Sequence, residues 1–283
     1  MSIAFNESAI PGRHTIHYRT RDAHRGFPTR DVEVLATPLE IETLAGAGYL
    51  VRERLIPTEE IARLRAALDE TVERDNRVER GGGKAFGGIF LRHLMDKHPA
   101  FLDFLKFPPT LSVARALFGP AVQLRGFTAR ICFPEQPDQQ TEWHFHQRVI
   151  PDPLPPLLAM PHTLDVLLYL DDADGLNGPL QVIPGSHHWL ERDLGQNDFD
   201  AKPGAITLSL PAGSCVMTHG SLWHRALPTQ PGCTIRRLLL FGYGPAWLKS
   251  SIYGDKPENG LTEQVLGDAD EETRELLGLA GYM

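Results

Sequence analysis

Two histidines one residue apart, and a third eighty residues after the first of them, are the strongest chemical signal in the sequence. Trp143-His144-Phe145-His146 reads as a strand, and side chains two apart on a strand share a face. His144 and His146 therefore project side by side, with Trp143 and Phe145 on the opposite face. Two imidazoles so placed can share one metal ion, although an HxH alone fits two surface histidines equally well. The run His219-Gly220-Ser221-Leu222-Trp223-His224 follows a strand that ends near Thr218, and a barrel can bring it beside the first segment. Two neighbouring ligands plus a distant one, with coordination positions left open, is the arrangement used by oxygen-activating iron sites. Twelve residues beyond His224 lies Arg236, opening an apolar strand that runs to Tyr243. A guanidinium buried in a barrel mouth needs an anion, and a carboxylate held bidentately is its best partner. His162, His188 and His219 read as surface or internally hydrogen-bonded histidines, with His219 the reserve ligand, and Pro184-Gly185-Ser186-His187 reads as a tight structural turn whose histidine is not a ligand.

The elements that must position these residues follow from pattern and punctuation. Residues 1–36 are polar, rich in Arg and His and without clear periodicity, and read as an arm. Thr37-Pro38-Leu39-Glu40 carries a cap, a proline at the first helical position and a glutamate placed for a capping box. Gly46 and Gly48 close that helix, and Tyr49 to Val51 looks like a short strand. A second helix follows Pro57, capped by Thr58, with Ile61, Leu64, Leu68 and Val72 at helical spacing. Two more short helices fit 95–119, the later one capped by Thr110 and stopped at Gly119-Pro120. From Val122 onward, short apolar runs alternate with Pro, Gly, Asp and Asn. Strands are expected at 122–133, 142–150, 163–170, 179–183, 205–209, 214–218 and 234–243, with a helical tail over 261–279. Short strands separated by turn signals suggest a sandwich or barrel. The expected layout is mainly β with flanking helices, residues 37–283 forming one domain. Trp143, Trp223 and Phe241 are core candidates, and 80–90 is expected to act as a lid over the barrel mouth.

Taken in order, WHFH, Leu170-Asp171-Asp172, Asn177-Gly178-Pro179-Leu180-Gln181-Val182-Ile183-Pro184-Gly185-Ser186-His187, Leu222-Trp223-His224 and Arg236-Arg237 form a pattern. It resembles the phytanoyl-CoA dioxygenase family of Fe(II)/2-oxoglutarate oxygenases, which also includes ectoine hydroxylases. The likeness runs over roughly residues 40–245. It implies a double-stranded β-helix, the cupin-like jelly roll. It also implies His144 and His224 as iron ligands, and Arg236 as the grip on the distal carboxylate of 2-oxoglutarate. Arg237 would point the other way from the same strand, and a slip of one residue would exchange the two. Arg130 and Gln181, on strands near the ligands, are candidates to contact the co-substrate or substrate, with a structural role as the equal alternative. The chain departs from the family at His146, which stands where the family has an aspartate ligand. His146 is the favoured third ligand, with Asp152, Glu142 or an open position as alternatives.

Composition narrows the setting. A net charge of -8 disfavours nucleic acid as a partner. Three cysteines without a CxxC pair give neither a disulfide framework nor a zinc cluster, and point to a reducing compartment. Without a secretory leader or an apolar run long enough to span a bilayer, a cytoplasmic location is expected. Gly81-Gly82-Gly83-Lys84 is not a phosphate loop, because Ala85 follows the lysine. The expectation is therefore an oxidising enzyme that uses Fe(II), 2-oxoglutarate and dioxygen on a small molecule. The rivals are a three-histidine barrel that does not use 2-oxoglutarate, and a non-catalytic binding member. Substrate-contacting loops are expected at 80–95 and 151–162.

Overall fold

Strand alternation governs the centre of the chain. In the computed structural model, which describes residues 2–19, 29–74, 79–81, 88–136, 138–146, 162–189, 198–248 and 259–279, Leu164–Tyr169 places Leu167 and Tyr169 on one face and Leu164, Val166 and Leu168 on the other. Both faces are apolar because both are covered, one by helices and one by a second sheet.

In chain order the elements are β1 (His14–Arg19), β2 (Thr29–Val34), α1 (Pro38–Ala47), β3 (Tyr49–Arg52), α2 (Thr58–Arg74), β4 (Glu79–Gly81), β5 (Gly88–Leu91), α3 (Pro99–Leu102), α4 (Pro108–Phe118), β6 (Val122–Cys132), β7 (Leu164–Tyr169), β8 (Leu180–Val182), β9 (Ile206–Leu208), β10 (Cys215–His219), β11 (His224–Ala226), β12 (Arg236–Pro245), α5 (Leu261–Val265) and α6 (Glu271–Leu276). The large sheet has the order β3-β10-β7-β12-β6-β5-β4, and the small one β11-β8-β9. An antiparallel bridge between His144 and His224 adds the HxH segment to the free edge of β11. The two sheets face each other across Leu167, Tyr169, Leu180, Val182, Val216, Leu222 and Leu238. This is the expected jelly roll. On its outer side the large sheet packs against the helices through a second core, with Phe101, Phe104, Phe127, Phe241 and Tyr243 at its centre.

The helix starts follow the sequence closely at α1, where Thr37 and Glu40 form the reciprocal capping box and Gly48 closes the helix in the left-handed conformation. Other expectations fare differently. The described residues among 1–36 correct the expectation of an irregular arm. β1 and β2 pair antiparallel, and Ile3, Val32 and Val34 are buried in the main core. α4 begins at Pro108 with Phe107 at its cap position, so Thr110 lies inside the first turn, its hydroxyl meeting the Phe107 carbonyl and Tyr243. Of the segment expected as a lid, the described residues 80–81 and 88–90 are strand, with β4 and β5 paired and β5 bonded to β6. Its residues 82–87 fall outside the described part, as do Asp152 and the 151–161 stretch of the second loop. Of the strand expected at 142–150, the described residues 142–146 show a single bridge at His144, and 147–150 lie outside the described residues. Among the described residues, no helix is long and apolar enough to cross a membrane.

Candidate active site

The sequence runs named above hold the distal histidine in place. Pro184-Gly185-Ser186-His187 forms a tight turn, with Gly185 left-handed. The Ser186 hydroxyl accepts the Trp223 backbone N–H at 2.9 Å, and His187 Nε2 lies 2.8 Å from the Ala45 carbonyl oxygen. His187 is therefore structural, as expected. His224 pairs with Val182 on β8 on one side and with His144 on the other, through two 3.0 Å backbone hydrogen bonds. Trp143 and Trp223 pack with Ile183 on the outer face of the small sheet. Their burial there turns the intervening histidines inward.

The outcome is three imidazoles around one point. The ligand atoms of His144, His146 and His224 all lie within 4.8 Å of one another, a spacing at which one metal ion reaches all three. Ring centroids are 4.4 Å apart for His144 and His224, 4.8 Å for His146 and His224, and 5.4 Å for His144 and His146. Each Nδ1 already faces an oxygen. His144 Nδ1 is 2.8 Å from the Glu142 carbonyl, His224 Nδ1 is 2.9 Å from the Leu222 carbonyl, and His146 Nδ1 is 2.9 Å from Asp165 Oδ2. With each Nδ1 donating, the lone pair of each ring sits on Nε2, the tautomer a metal requires. Burial, reinforced by the two neighbouring imidazoles, holds the His224 pKa well below its usual value. The ring is neutral at physiological pH and its lone pair is available. The donor set thus fits a divalent first-row metal.

Glu142, an alternative ligand, is not in this group; what it contributes is its backbone carbonyl. His219 is not in the group either. Its Nδ1 accepts the Ser221 N–H at 3.0 Å and its ring lies 4.7 Å from that of His187. Burial first, and then His187, push its pKa down to about 3.

Inside the barrel a second feature meets this one. Arg236 is 2% exposed. Its guanidinium donates to the Asn177 carbonyl at 2.7 Å, to the Gly178 carbonyl and to Cys132 Sγ at 3.1 Å. Two of its five N–H groups keep no protein acceptor among the described residues. Arg130 is 8% exposed and bonds the Gln140 carbonyl at 3.3 Å. Its pKa is lowered by burial and by the like charge of Arg236, against the opposing pull of Cys132. Neither guanidinium pairs with a carboxylate among the described residues. Tyr169 lies close enough to feel both, though burial dominates and pushes its pKa up to about 12. Two buried cations with no carboxylate partner among the described residues make this interior a place for an anion. Gly178 is needed for the arrangement. Its φ is +68°, and a Cβ there would come within 2.7 Å of Arg236 Nη1 and 2.5 Å of the Leu227 carbonyl.

Arg237 takes the other face of β12, as strand alternation requires. It pairs with Asp69 on α2 at 3.2 Å and with Asp171 at 3.3 Å. Asp171 also holds Arg65 at 2.8 Å, so the Leu170-Asp171-Asp172 run is a structural clamp between helix and sheet. Gln181 requires a correction. Leu180 and Val182 face the barrel interior, which turns Gln181 outward, where it accepts from Arg225 at 2.8 Å and donates to Thr207 at 3.1 Å. It supports Arg225, which stacks over Trp143, rather than touching the pocket.

Sequence reasoning passed over Asp165 and Thr218. They are register partners on β7 and β10, and the Thr218 hydroxyl is buried without a hydrogen-bond partner among the described residues. An acidic residue inside the otherwise apolar run Leu164–Tyr169 was the available signal.

Comparison with known proteins agrees with this geometry. A family model described as phytanoyl-CoA dioxygenase (PhyH) matches residues 44–237. An ectoine dioxygenase from Bordetella parapertussis is 25% identical over 169 residues, covering 57% of this chain and 53% of that protein. An L-proline trans-4-hydroxylase from Streptomyces griseoviridis is 26% identical over 160 residues, covering 56% of each. The chain thus spans about half the length of the curated relatives it matches. Among solved structures, the non-haem α-ketoglutarate-dependent carbocyclase SnoK from nogalamycin biosynthesis superposes with a TM-score of 0.59 at 18% identity, over 83% of this chain and 91% of that one. HygX from Streptomyces hygroscopicus, solved with nickel and 2-oxoglutarate bound, gives 0.59 at 16% identity over 76% of this chain and 89% of that one. These structural likenesses establish the jelly-roll fold. The family match covers more than half of the chain and includes all three clustered histidines and both arginines of β12. The chain therefore belongs to the phytanoyl-CoA dioxygenase family.

Proposed function

We propose that this protein is a mononuclear non-haem iron dioxygenase that uses 2-oxoglutarate as co-substrate and oxidises a small molecule. His144, His146 and His224 hold the metal. Arg236, with Arg130 beside it, takes the distal carboxylate of 2-oxoglutarate. The single observation that carries the reading is a histidine cluster able to hold a metal at one end of a barrel that also encloses two guanidinium groups without a carboxylate partner among the described residues.

A dicarboxylate suits such a site because its two ends meet different partners. Asp165, which holds His146, stands opposite Gly242, while Arg236 enters the interior six residues earlier on the same strand. One end of the co-substrate therefore faces the metal and the other the arginines. Held by these residues, Fe(II) with 2-oxoglutarate would supply the activation of dioxygen, with succinate and carbon dioxide as the co-products. The chain's own part is to position, to neutralise charge and to exclude water. The apolar lining of Leu167, Leu180, Val182 and Leu238 keeps the interior dry, which strengthens every charge contact made there. The relatives' names, ectoine dioxygenase and L-proline trans-4-hydroxylase, support a small-molecule substrate. A three-histidine barrel that did not use 2-oxoglutarate would leave Arg130 and Arg236 buried without an anion, an arrangement that costs free energy and does nothing.

The test is turnover of the co-substrate. Purified protein supplied with Fe(II), 2-oxoglutarate and air is expected to form succinate, uncoupled from any substrate, at a rate that vanishes in His224→Ala. If the protein neither binds 2-oxoglutarate nor forms succinate when Fe(II) is present, the proposal is wrong.

A further inference from the structure

The three Nδ1 partners are not alike. His144 and His224 each face the carbonyl of the residue two positions before them, whereas His146 faces a carboxylate, Asp165 Oδ2 at 2.9 Å. We infer that Asp165 is a positioning carboxylate for the metal centre: it orients His146 through Nδ1–H and returns the negative charge lost where His146 stands in place of an acidic ligand. This rests on the assignment of His146 as a ligand, proposed above.

Several independent features build the contact. The Thr163 hydroxyl donates to the same Asp165 oxygen at 3.2 Å. Gly220 leaves room for that threonine, since a Cβ there would collide with the Thr163 hydroxyl, and its carbonyl accepts the His146 backbone N–H at 2.7 Å. Across the sheet, Asp165 pairs in register with Gly242, where a Cβ would stand 2.9 Å from Asp165 Oδ1. Both glycines thus leave space that the His146–Asp165 pair uses. The carboxyl group is only 18% exposed and the imidazole 29%, so solvent screens the contact weakly. Asp165 is not itself among the atoms that converge on the metal position, and acts one imidazole away.

A carboxylate on the far nitrogen of a ligating histidine fixes its tautomer and ring plane and makes Nε2 the stronger donor, and removing such a partner typically lowers metal affinity roughly 10- to 100-fold. An aspartate ligand in place of His146 would bring its own charge and need no such partner. The two arrangements are therefore alternatives, and a double-mutant cycle separates them.

The experiment is anaerobic Fe(II) titration, repeated with Co(II), of the parent, Asp165→Asn, His146→Asp and the double variant. Melting temperatures of the metal-free proteins check folding. Asp165→Asn is expected to weaken metal binding by roughly 10- to 100-fold in the parent and not to weaken it in the His146→Asp background. The Co(II) absorption spectrum should shift on Asp165→Asn in the parent alone. Gly242→Ala, which crowds the carboxylate, serves as the second perturbation and should weaken binding in the same direction. Equal weakening in both backgrounds, or none in the parent, overturns the inference. If instead His144→Ala and His224→Ala retain full metal affinity, it is the assignment of the metal site that fails.

Discussion

Replacing Arg236 by glutamine should cost the protein its co-substrate while leaving its metal in place. The side chain is 2% exposed and keeps two N–H groups without a protein acceptor among the described residues. No carboxylate from those residues neutralises it. A carboxylate of 2-oxoglutarate reaching this guanidinium forms a buried, charge-assisted pair. Removing one partner of such a pair costs about 3–5 kcal/mol, because the other is left desolvated and unpaired. At about 1.4 kcal/mol per decade, the dissociation constant of 2-oxoglutarate should rise by roughly 100- to 4,000-fold. The assay is calorimetric titration of 2-oxoglutarate into the Co(II)-loaded protein without oxygen, with Co(II) affinity measured separately. Arg237→Gln is the matched control. That side chain lies on the outer face with Asp69 and Asp171, so its loss should lower stability and leave co-substrate affinity within about threefold of the parent. An Arg236→Gln protein that binds 2-oxoglutarate within about threefold of the parent, or a larger loss from Arg237→Gln, would refute the assignment of the anion pocket.

Other outcomes follow from the same contacts. His224→Ala should lose stoichiometric Fe(II), read by metal analysis after desalting, because a 4% exposed ligand cannot be replaced from solvent without opening the barrel. Gly178→Ala should destabilise the fold by about 1–3 kcal/mol in urea denaturation, since its φ of +68° and the nearby Leu227 carbonyl leave no room for a methyl group; it should also weaken 2-oxoglutarate binding by displacing Arg236. Unchanged values for both would show that the turn is not required. Asp171→Ala removes the carboxylate shared by Arg65 and Arg237 but leaves Arg237 its Asp69 and Arg65 the Leu170 carbonyl, so it should cost about 1–3 kcal/mol of stability by the same assay. His219 carries a pH dependence. Its folded pKa is pushed down to about 3, so between the ordinary imidazole pKa and that value the unfolded chain binds a proton that the folded one does not. Stability is then fully present above the unfolded pKa and falls as pH drops through this window, by up to about 1.4 kcal/mol per pH unit from this group. The urea midpoint measured between pH 7 and 4.5 should fall less steeply in His219→Gln, and parallel slopes would remove His219 as the cause.

The parts of this molecule that could be read beforehand are those encoded over short distances. The HxH pair needs only strand periodicity, α1 announces itself through Thr37 and Glu40, and the Pro184-Gly185-Ser186-His187 run marks a turn whose hydrogen bonds the structure displays. The choice between Arg236 and Arg237 was open because one residue of slip reverses a strand's faces. It needed the register of Arg237 against Asp69 and Asp171, on elements 168 and 66 residues away, to separate the two environments. The same parity misplaced Gln181, which lies between two interior residues of β8. The β1–β2 hairpin was hidden because β1, His14–Arg19, alternates between half-buried and exposed positions and carries little apolar contrast. Its burial comes from the partner strand, at Val32 and Val34. Asp165 was visible only as an oddity in an apolar strand. Its meaning depends on a histidine nineteen residues away that is brought to it through Gly220 and the edge of the small sheet.

The most direct test of the central claim is an anaerobic optical titration of the Fe(II)-loaded protein with 2-oxoglutarate. Chelation of Fe(II) by a 2-oxo acid gives a visible charge-transfer absorption. The account predicts that this band appears, saturates at one 2-oxoglutarate per chain, requires Fe(II) and is absent in His144→Ala and His224→Ala. A protein that shows no band at saturating 2-oxoglutarate, or an unaltered band after either histidine is removed, would contradict a metal centre built on His144, His146 and His224.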